Sequence, residues 1–235
     1  MDNIAHGGGT INGLKYTNSV ESIEHHLQNG KLIFEVDVVK LKDSFGMAHN
    51  GKEREVYDLD REFGEITLNK FLELRAYNSY TPIDFCELNK IMNNNSNAKF
   101  ILDIKEQDET YTEVLDHVIS TVENTHNIIP QVYCVDDIKK CIECGFESCV
   151  IGFWKNYPDI FIEEANDLIN YAQSLEQIQI MGFVVFFHHY YNESFEEFEN
   201  KLNHPIYFHG QFAEPHILSD GEIHEFNKKG YYFFV

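Results

Sequence analysis

The sequence predicts an α/β chain of a single domain, residues 1–235, folded as a (β/α)8 TIM barrel. Three observations lead there. Eight short segments rich in β-branched and aromatic residues alternate with amphipathic helical patterns, the rhythm of parallel strands joined by crossover helices. Eight such units fit a chain of 235 residues, near the roughly 250 of a typical barrel. No shift in composition marks a second core. An open doubly wound sheet would carry G-x-G-x-x-G after its first strand, which this chain lacks.

Asn3–His6 reads as a first strand that breaks into the loop Gly7-Gly8-Gly9, where backbone N–H groups can approach an anion closely. Ser19 caps an amphipathic helix with Val20, Ile23 and Leu27 on one face, and Gly30 ends it. Leu32–Val39 is the second strand, so the chain opens as a βαβ unit. A polar turn then returns the chain to Met47-Ala48-His49. Residues 50–66 are charged and irregular and predict a loop above the site. Thr67 opens a helix with Leu68, Phe71 and Leu72, and Asp84–Met92 is another, closed by the asparagine cluster 93–97.

Lys99–Lys105 is the third strand, followed by a helix over Tyr111–Asn124. The rhythm continues with a strand at Gln131–Cys134, bounded by Pro130, a helix at Asp136–Cys144 ended by Gly145, and a strand at Ser148–Trp154. A helix at Ile160–Ala172, a strand at Ile178–Phe187 and a helix at Phe195–Leu202 come next. Pro205–His209 is strand seven, Asp220–Asn227 a helix closed near Gly230, and Tyr231–Val235 the last strand.

Composition narrows the function. A formal charge of −21 argues against binding nucleic acid or an anionic membrane, both of which need basic footprints. A phosphorylated substrate would have to be received by a metal or by a few local cations. The five cysteines are odd in number and have no framework spacing, and Cys141-x-x-Cys144 lies in a helical pattern without a second pair, so free thiols in a reducing, cytoplasmic setting are expected. The first residues carry neither a basic region nor an apolar one, so no signal peptide is expected. No apolar run reaches the roughly 18 residues of a membrane span.

The second strand holds the chemistry. Glu35 and Asp37 stand two apart among apolar residues, so both point to one face. Burying two carboxylates side by side costs several kcal/mol each unless a cation joins them, and a hard divalent metal would serve. An exposed edge strand with the pair facing water fits the spacing equally. In the third strand Asp103 and Lys105 are again two apart. On a barrel, residues at the carboxyl ends of strands converge on one face, which would gather His6, Glu35, Asp37, His49, Asp103 and Lys105. Three carboxylates for a divalent ion, two histidines for proton transfer and one lysine suit phosphodiester cleavage.

His6-Gly7-Gly8-Gly9, Tyr16-Thr17-Asn18-Ser19, Glu35-Val36-Asp37, His49 and Leu102-Asp103-Ile104-Lys105 stand in the order found in glycerophosphodiester phosphodiesterases, and the chain resembles that family over about its first 105 residues. Those enzymes belong to the phosphatidylinositol-phospholipase-C-like barrels. The resemblance implies a small-molecule phosphodiester substrate and His6 and His49 as an acid–base pair. It implies that Glu35, Asp37 and Asp103 hold one divalent cation, Ca2+ or Mg2+ with Mn2+ as a further option. Lys105 would contact phosphate, and Asn18 would brace the site. Three positions depart from the family. Gly7 stands where an arginine is usual, Asn50 where an aspartate is, and Asp103 where glutamate is most common. Loss of the arginine removes a bidentate phosphate clamp, and Arg54 or Lys52 are the nearby substitutes.

Gly7, Trp154, His188 and His209 join Lys105 as candidate substrate-binding residues, the last three standing at the ends of strands five, six and seven. Tyr190 and Tyr191 are expected at the rim, and His25-His26 lie in the first helix, away from the site. Two other outcomes fit the same residues: a lyase that forms a cyclic phosphate, and a barrel that binds an anion without catalysis. The oligomeric state has no signature in the sequence.

Overall fold

The computed structural model describes residues 3–105, 109–153, 163–209, 220–229 and 231–234. The chain forms two compact units, a larger one over Asp2–Pro130 and a smaller one over Gln131–Phe234.

The larger unit contains α1 (Val20–Gln28), β1 (Ile33–Lys40), β2 (Phe45–Met47), α2 (Glu53–Tyr57), α3 (Leu68–Glu73), α4 (Phe85–Asn94), β3 (Lys99–Ile104), α5 (Glu109–Thr121) and the start of β4 (Ile128–Val132). Its strands run in the order β2-β1-β3-β4. β1 and β3 are parallel from Ile33↔Lys99 to Val38↔Ile104, and β2 folds back antiparallel on β1 through Val38↔Met47. The smaller unit holds the end of β4, α6 (Val135–Glu143), β5 (Ser148–Gly152), α7 (Glu163–Gln173), β6 (Gln179–Phe186), α8 (Phe195–Glu199), β7 (Ile206–His209), α9 (Asp220–Lys228) and β8 (Tyr231–Phe233). Its strands pair in parallel in the order β4-β5-β6-β7-β8.

Most expected elements form within a few residues of their predicted bounds. The helix caps are those the sequence indicates: Ser19 and Ser22 make a reciprocal capping box on α1, Thr67 caps α3 and Asp84 caps α4. Trp154, Gly230, Val235 and the start of the helix expected from Ile160 lie outside the described residues.

Three expectations are corrected. The strand expected at Asn3–His6 is reduced to bridge residues at Ile4 and Ala5, the latter parallel to Phe34, because the chain turns at once into a 3-10 turn, His6–Gly8, with Gly7 in the left-handed region (φ 57°). β4 begins at Ile128 rather than Gln131 and includes Pro130, whose partner Leu102 is the last in the β3 ladder. A residue without an N–H fits where one ladder ends. Residues 50–66 are not irregular throughout. They carry α2 and a 3-10 turn, Phe63–Glu65, whose apolar residues are buried.

Those buried residues form a satellite core. Val56, Tyr57, Phe63, Ile66, Phe71 and Ala76 pack with Val39, Leu41 and Ala48, beside the carboxyl end of β1. The rings of Tyr57, Phe63 and Phe71 meet at centroid distances of 5.6–5.9 Å. Charged residues dominate this stretch by count, and its few apolar ones decide the fold. Phe71→Ala is expected to destabilise the chain by about 3–5 kcal/mol, read as a lower urea midpoint at unchanged m-value. A loss below about 1 kcal/mol would show that the ring is not part of a packed core.

Candidate active site

Glu35 and Asp37 project from the same face of β1, and Asp103 lies on β3 directly opposite Asp37 in the parallel register. All three are buried, at 1%, 0% and 3% exposure. β1 lies between β2 and β3, so the exposed-edge alternative is excluded. One carboxylate oxygen from each residue lies within 4.8 Å of the other two. At such separations a like-charge pair repels by about 4 kcal/mol even at an effective dielectric of 20.

Lys105, just past the end of β3, answers part of that charge. Its Nζ is 2.7 Å from Asp37 Oδ1, 3.3 Å from Asp103 Oδ2 and 3.3 Å from His49 Nε2. Two further oxygens are held from elsewhere in the same unit. The Gly7 N–H donates to Glu35 Oε2 at 2.7 Å, and the Asn18 amide donates to Asp37 Oδ2 at 3.0 Å while accepting from the Asp37 N–H at 3.1 Å. Asn18 is therefore the brace that its motif implied. Gly7, expected to offer its N–H to a ligand, turns it inward to the chain's own carboxylate.

Both histidines reach this cluster. His6 Nε2 lies 3.8 Å from Glu35 Oε2. His49 is positioned by the β2 return, where the Ala48 N–H bonds to the Asp37 carbonyl at 3.1 Å. His49 Nδ1 is 2.8 Å from the Asn50 carbonyl oxygen. A carbonyl only accepts, so Nδ1 carries the proton and Nε2 presents a lone pair towards Lys105. Tyr16 stands edge-on to both imidazoles, 5.4 Å from His6 and 4.7 Å from His49 between ring centroids. Sequence reasoning quoted Tyr16 only as part of a motif. Its left-handed backbone (φ 58°) was not readable there, since tyrosine is an unusual residue for that conformation.

Burial, and then the charges of Asp37 and Asp103, push Glu35 well above the ordinary carboxylate range. Burial opposes ionisation of Asp37 as well, but Lys105, His49 and His6 outweigh it and hold Asp37 down at about 2. Burial lowers His6 to about 4, against the pull of Asp37 and with help from Lys105 and His49. Burial alone would lower Lys105, and the three carboxylates instead raise it above the usual ammonium range.

Three carboxyl groups against one ammonium offer more negative charge than Lys105 offsets, in hard oxygen donors that converge on one point. The residues fit a divalent cation of the Ca2+ or Mg2+ type. Among the described residues this is the group of three or more ligating side chains that converges in this way. His209 belongs to the smaller unit, where it is buried at the end of β7 against Phe186 and Phe234. Of His188 only the backbone is described, in the 3-10 turn Phe187–Tyr191, and Tyr191 at its end is exposed. His26 binds the Thr10 carbonyl oxygen at 2.8 Å, a structural tie.

Comparison with solved structures places this architecture. A protein of Galdieria sulphuraria assigned to the glycerophosphodiester phosphodiesterases matches 100% of this chain and 93% of its own, with a TM-score of 0.72 and 14% identity. The chain has the glycerophosphodiester phosphodiesterase fold. A glycerophosphodiester phosphodiesterase from Parabacteroides distasonis matches with a TM-score of 0.68 at 14% identity, covering 100% of this chain and 92% of that one. A phosphodiesterase from Oleispira antarctica, solved in complex with its product sn-glycerol-3-phosphate, matches 99% of this chain and 83% of its own at a TM-score of 0.53 and 15% identity. No protein-family profile matches the chain, and no curated protein does. No described helix is long and apolar enough to cross a membrane.

If the excess charge is balanced by a divalent cation, the cation should stabilise the fold. At a hundred times its Kd it contributes about 2.7 kcal/mol, a rise of roughly 5–10 °C in melting midpoint for a chain of this size. Glu35→Gln keeps an acceptor for the Gly7 N–H but removes a buried ionisable group. It should raise the midpoint of the metal-free chain by a few degrees and shrink the metal-induced gain. A wild-type midpoint unmoved by Ca2+, Mg2+ and Mn2+ would contradict the fit.

Proposed function

We propose that the chain is a metal-dependent phosphoric diester hydrolase that cleaves a glycerophosphodiester or a related small phosphodiester. The observation that carries the reading is the convergence of two histidines and a lysine on three buried carboxylates, in a fold shared with glycerophosphodiester phosphodiesterases. One of the solved phosphodiesterases binds sn-glycerol-3-phosphate as product, so a small phosphorylated polyol is the ligand class to try first. The single domain over 1–235 and its closure as a (β/α)8 barrel belong to this reading, as does a cytoplasmic setting. Trp154, His188 and His209 remain candidate substrate contacts within it.

Glu35, Asp37 and Asp103 would hold the cation, Ca2+ or Mg2+ with Mn2+ as a further option. When bound, it would neutralise phosphate charge and polarise a phosphoryl oxygen. His49, with its Nε2 lone pair fixed by the Asn50 contact, can take a proton from the attacking water. His6, across the Tyr16 ring, is held neutral by burial in the free chain, and must gain a proton in the substrate complex before it can deliver one to the departing alkoxide. The P–O bond to the leaving alcohol breaks as the bond to water oxygen forms, giving a phosphomonoester and an alcohol. Lys105 keeps Asp37 and Asp103 compatible with each other and aims His49. To contact phosphate as the resemblance implies, it must turn from its contacts with Asp37, Asp103 and His49.

His6→Ala and His49→Ala are each expected to reduce turnover of bis(p-nitrophenyl) phosphate by roughly 10²–10⁴-fold while a calorimetric titration still registers metal. Near-wild-type turnover in either variant would overturn the two-histidine mechanism. Activity should vanish with EDTA and return with one divalent ion, and Asp37→Asn should weaken that ion's binding. A cyclic phosphate as the end product would transfer the same site to the lyase class. Metal binding with no turnover of any phosphodiester would leave an anion-binding protein.

A further inference from the structure

We propose that Lys52, held over the ring of Tyr16, is the cation that receives the phosphate of the substrate and of the product. The inference rests on the phosphodiesterase reading and names a binding residue within that site. A phosphate arriving at a chain with a charge of −21 needs a local cation. Lys105 is already engaged by Asp37 and Asp103 as ion pairs and by His49. Lys40 is drawn to Glu113 at 2.7 Å, and Arg54, 85% exposed, has Asp60 as its neighbour at 3.8 Å.

Lys52 is placed differently. Its backbone N–H bonds to the His49 carbonyl at 3.1 Å, so it emerges one turn beyond that histidine. Its Nζ lies 5.6 Å from the centroid of Tyr16, the ring that touches both His49 and His6. Glu55 Oε2, at 2.5 Å, engages one of its three N–H groups and leaves the side chain partly exposed, at 32%. Glu55 also holds the ammonium in its charged form.

The platform under the lysine is braced. Tyr77 donates its hydroxyl to the Lys15 carbonyl at 3.2 Å, Asn12 donates to the Tyr80 hydroxyl at 3.0 Å, and the Tyr57 hydroxyl reaches the Thr17 carbonyl at 3.4 Å. Tyr77 is in turn fixed by its N–H on the Val56 carbonyl at 2.6 Å. Tyr16 itself sits at φ 58°, a strained conformation that persists when its surroundings over-determine it. The satellite core and the loop after His6 are thereby tied together, and they present an aromatic face with an ammonium above it beside the two histidines. Lys15, whose charge His6 also feels, is the alternative cation on this side.

The test compares wild type with Lys52→Met, Lys52→Arg, Lys15→Met and Arg54→Ala. The readouts are kinetics on bis(p-nitrophenyl) phosphate and calorimetric binding of sn-glycerol 3-phosphate, both at saturating metal. Lys52→Met is expected to raise KM and the Kd of sn-glycerol 3-phosphate by roughly tenfold or more with kcat within about twofold. Lys52→Arg should restore most of the binding, and Arg54→Ala should change neither quantity. Unchanged binding in Lys52→Met, or a loss confined to Lys15→Met, overturns the proposal. If wild type turns over no diester, the enzymatic reading fails separately. The subsite then stands only if wild type binds sn-glycerol 3-phosphate and Lys52→Met does not, and falls if wild type binds none.

Discussion

The structure of the larger unit depends on one electrostatic constraint: three carboxylates buried side by side on two paired strands. The parallel register that sets Asp37 opposite Asp103 cannot be relaxed, because a slip of one residue between β1 and β3 would turn Asp103 to the face opposite Glu35 and Asp37. The alternating neighbours Phe34, Val36 and Val38 are buried on the opposite side, so both faces hold the register in place. The cost of the arrangement is local and the surrounding chain is shaped to meet it. Lys105 supplies one charge, Asn18 and Gly7 supply neutral donors, and the remaining deficit is what a divalent cation would fill.

This constraint explains features that look unrelated in the sequence. The glycines after His6 let the chain reverse tightly enough for the Gly7 N–H to reach Glu35, and a side chain at Gly9 would run into the His26 ring. The β2 hairpin brings Ala48 alongside Asp37 and so delivers His49 to the cluster. The satellite core over residues 56–76 has no carboxylate to hold, yet its tyrosines fasten the loop that carries Tyr16 between the two histidines. Stability and chemistry are joined here at the level of single hydrogen bonds.

Much of this was readable from the residues. Period-two spacing put Glu35 with Asp37 on one face and an α/β rhythm put Asp103 on a neighbouring strand, and both follow from backbone geometry alone. Capping serines and aspartates marked the helix starts because their chemistry is local. What escaped depends on long-range contacts. Nothing in the run of charges over residues 50–66 shows that Val56, Tyr57 and Phe63 find partners in Phe71 and Leu41. The triple glycine suggested a free anion cradle, whereas its first N–H is taken by a carboxylate 28 positions away. Tyr16 gave no signal because a left-handed tyrosine is specified by its neighbours' packing, not by its own preference.

The proposed chemistry depends on a metal ion at the carboxylates, and anomalous diffraction from a crystal soaked in Mn2+ tests its presence most directly. It predicts one strong peak within about 2.0–2.5 Å of oxygens from Glu35, Asp37 and Asp103, with Lys105 drawn back from Asp37 or Asp103. A peak elsewhere, or none while Lys105 keeps both carboxylates, would mean that the lysine is the resident cation and that the site works without a metal.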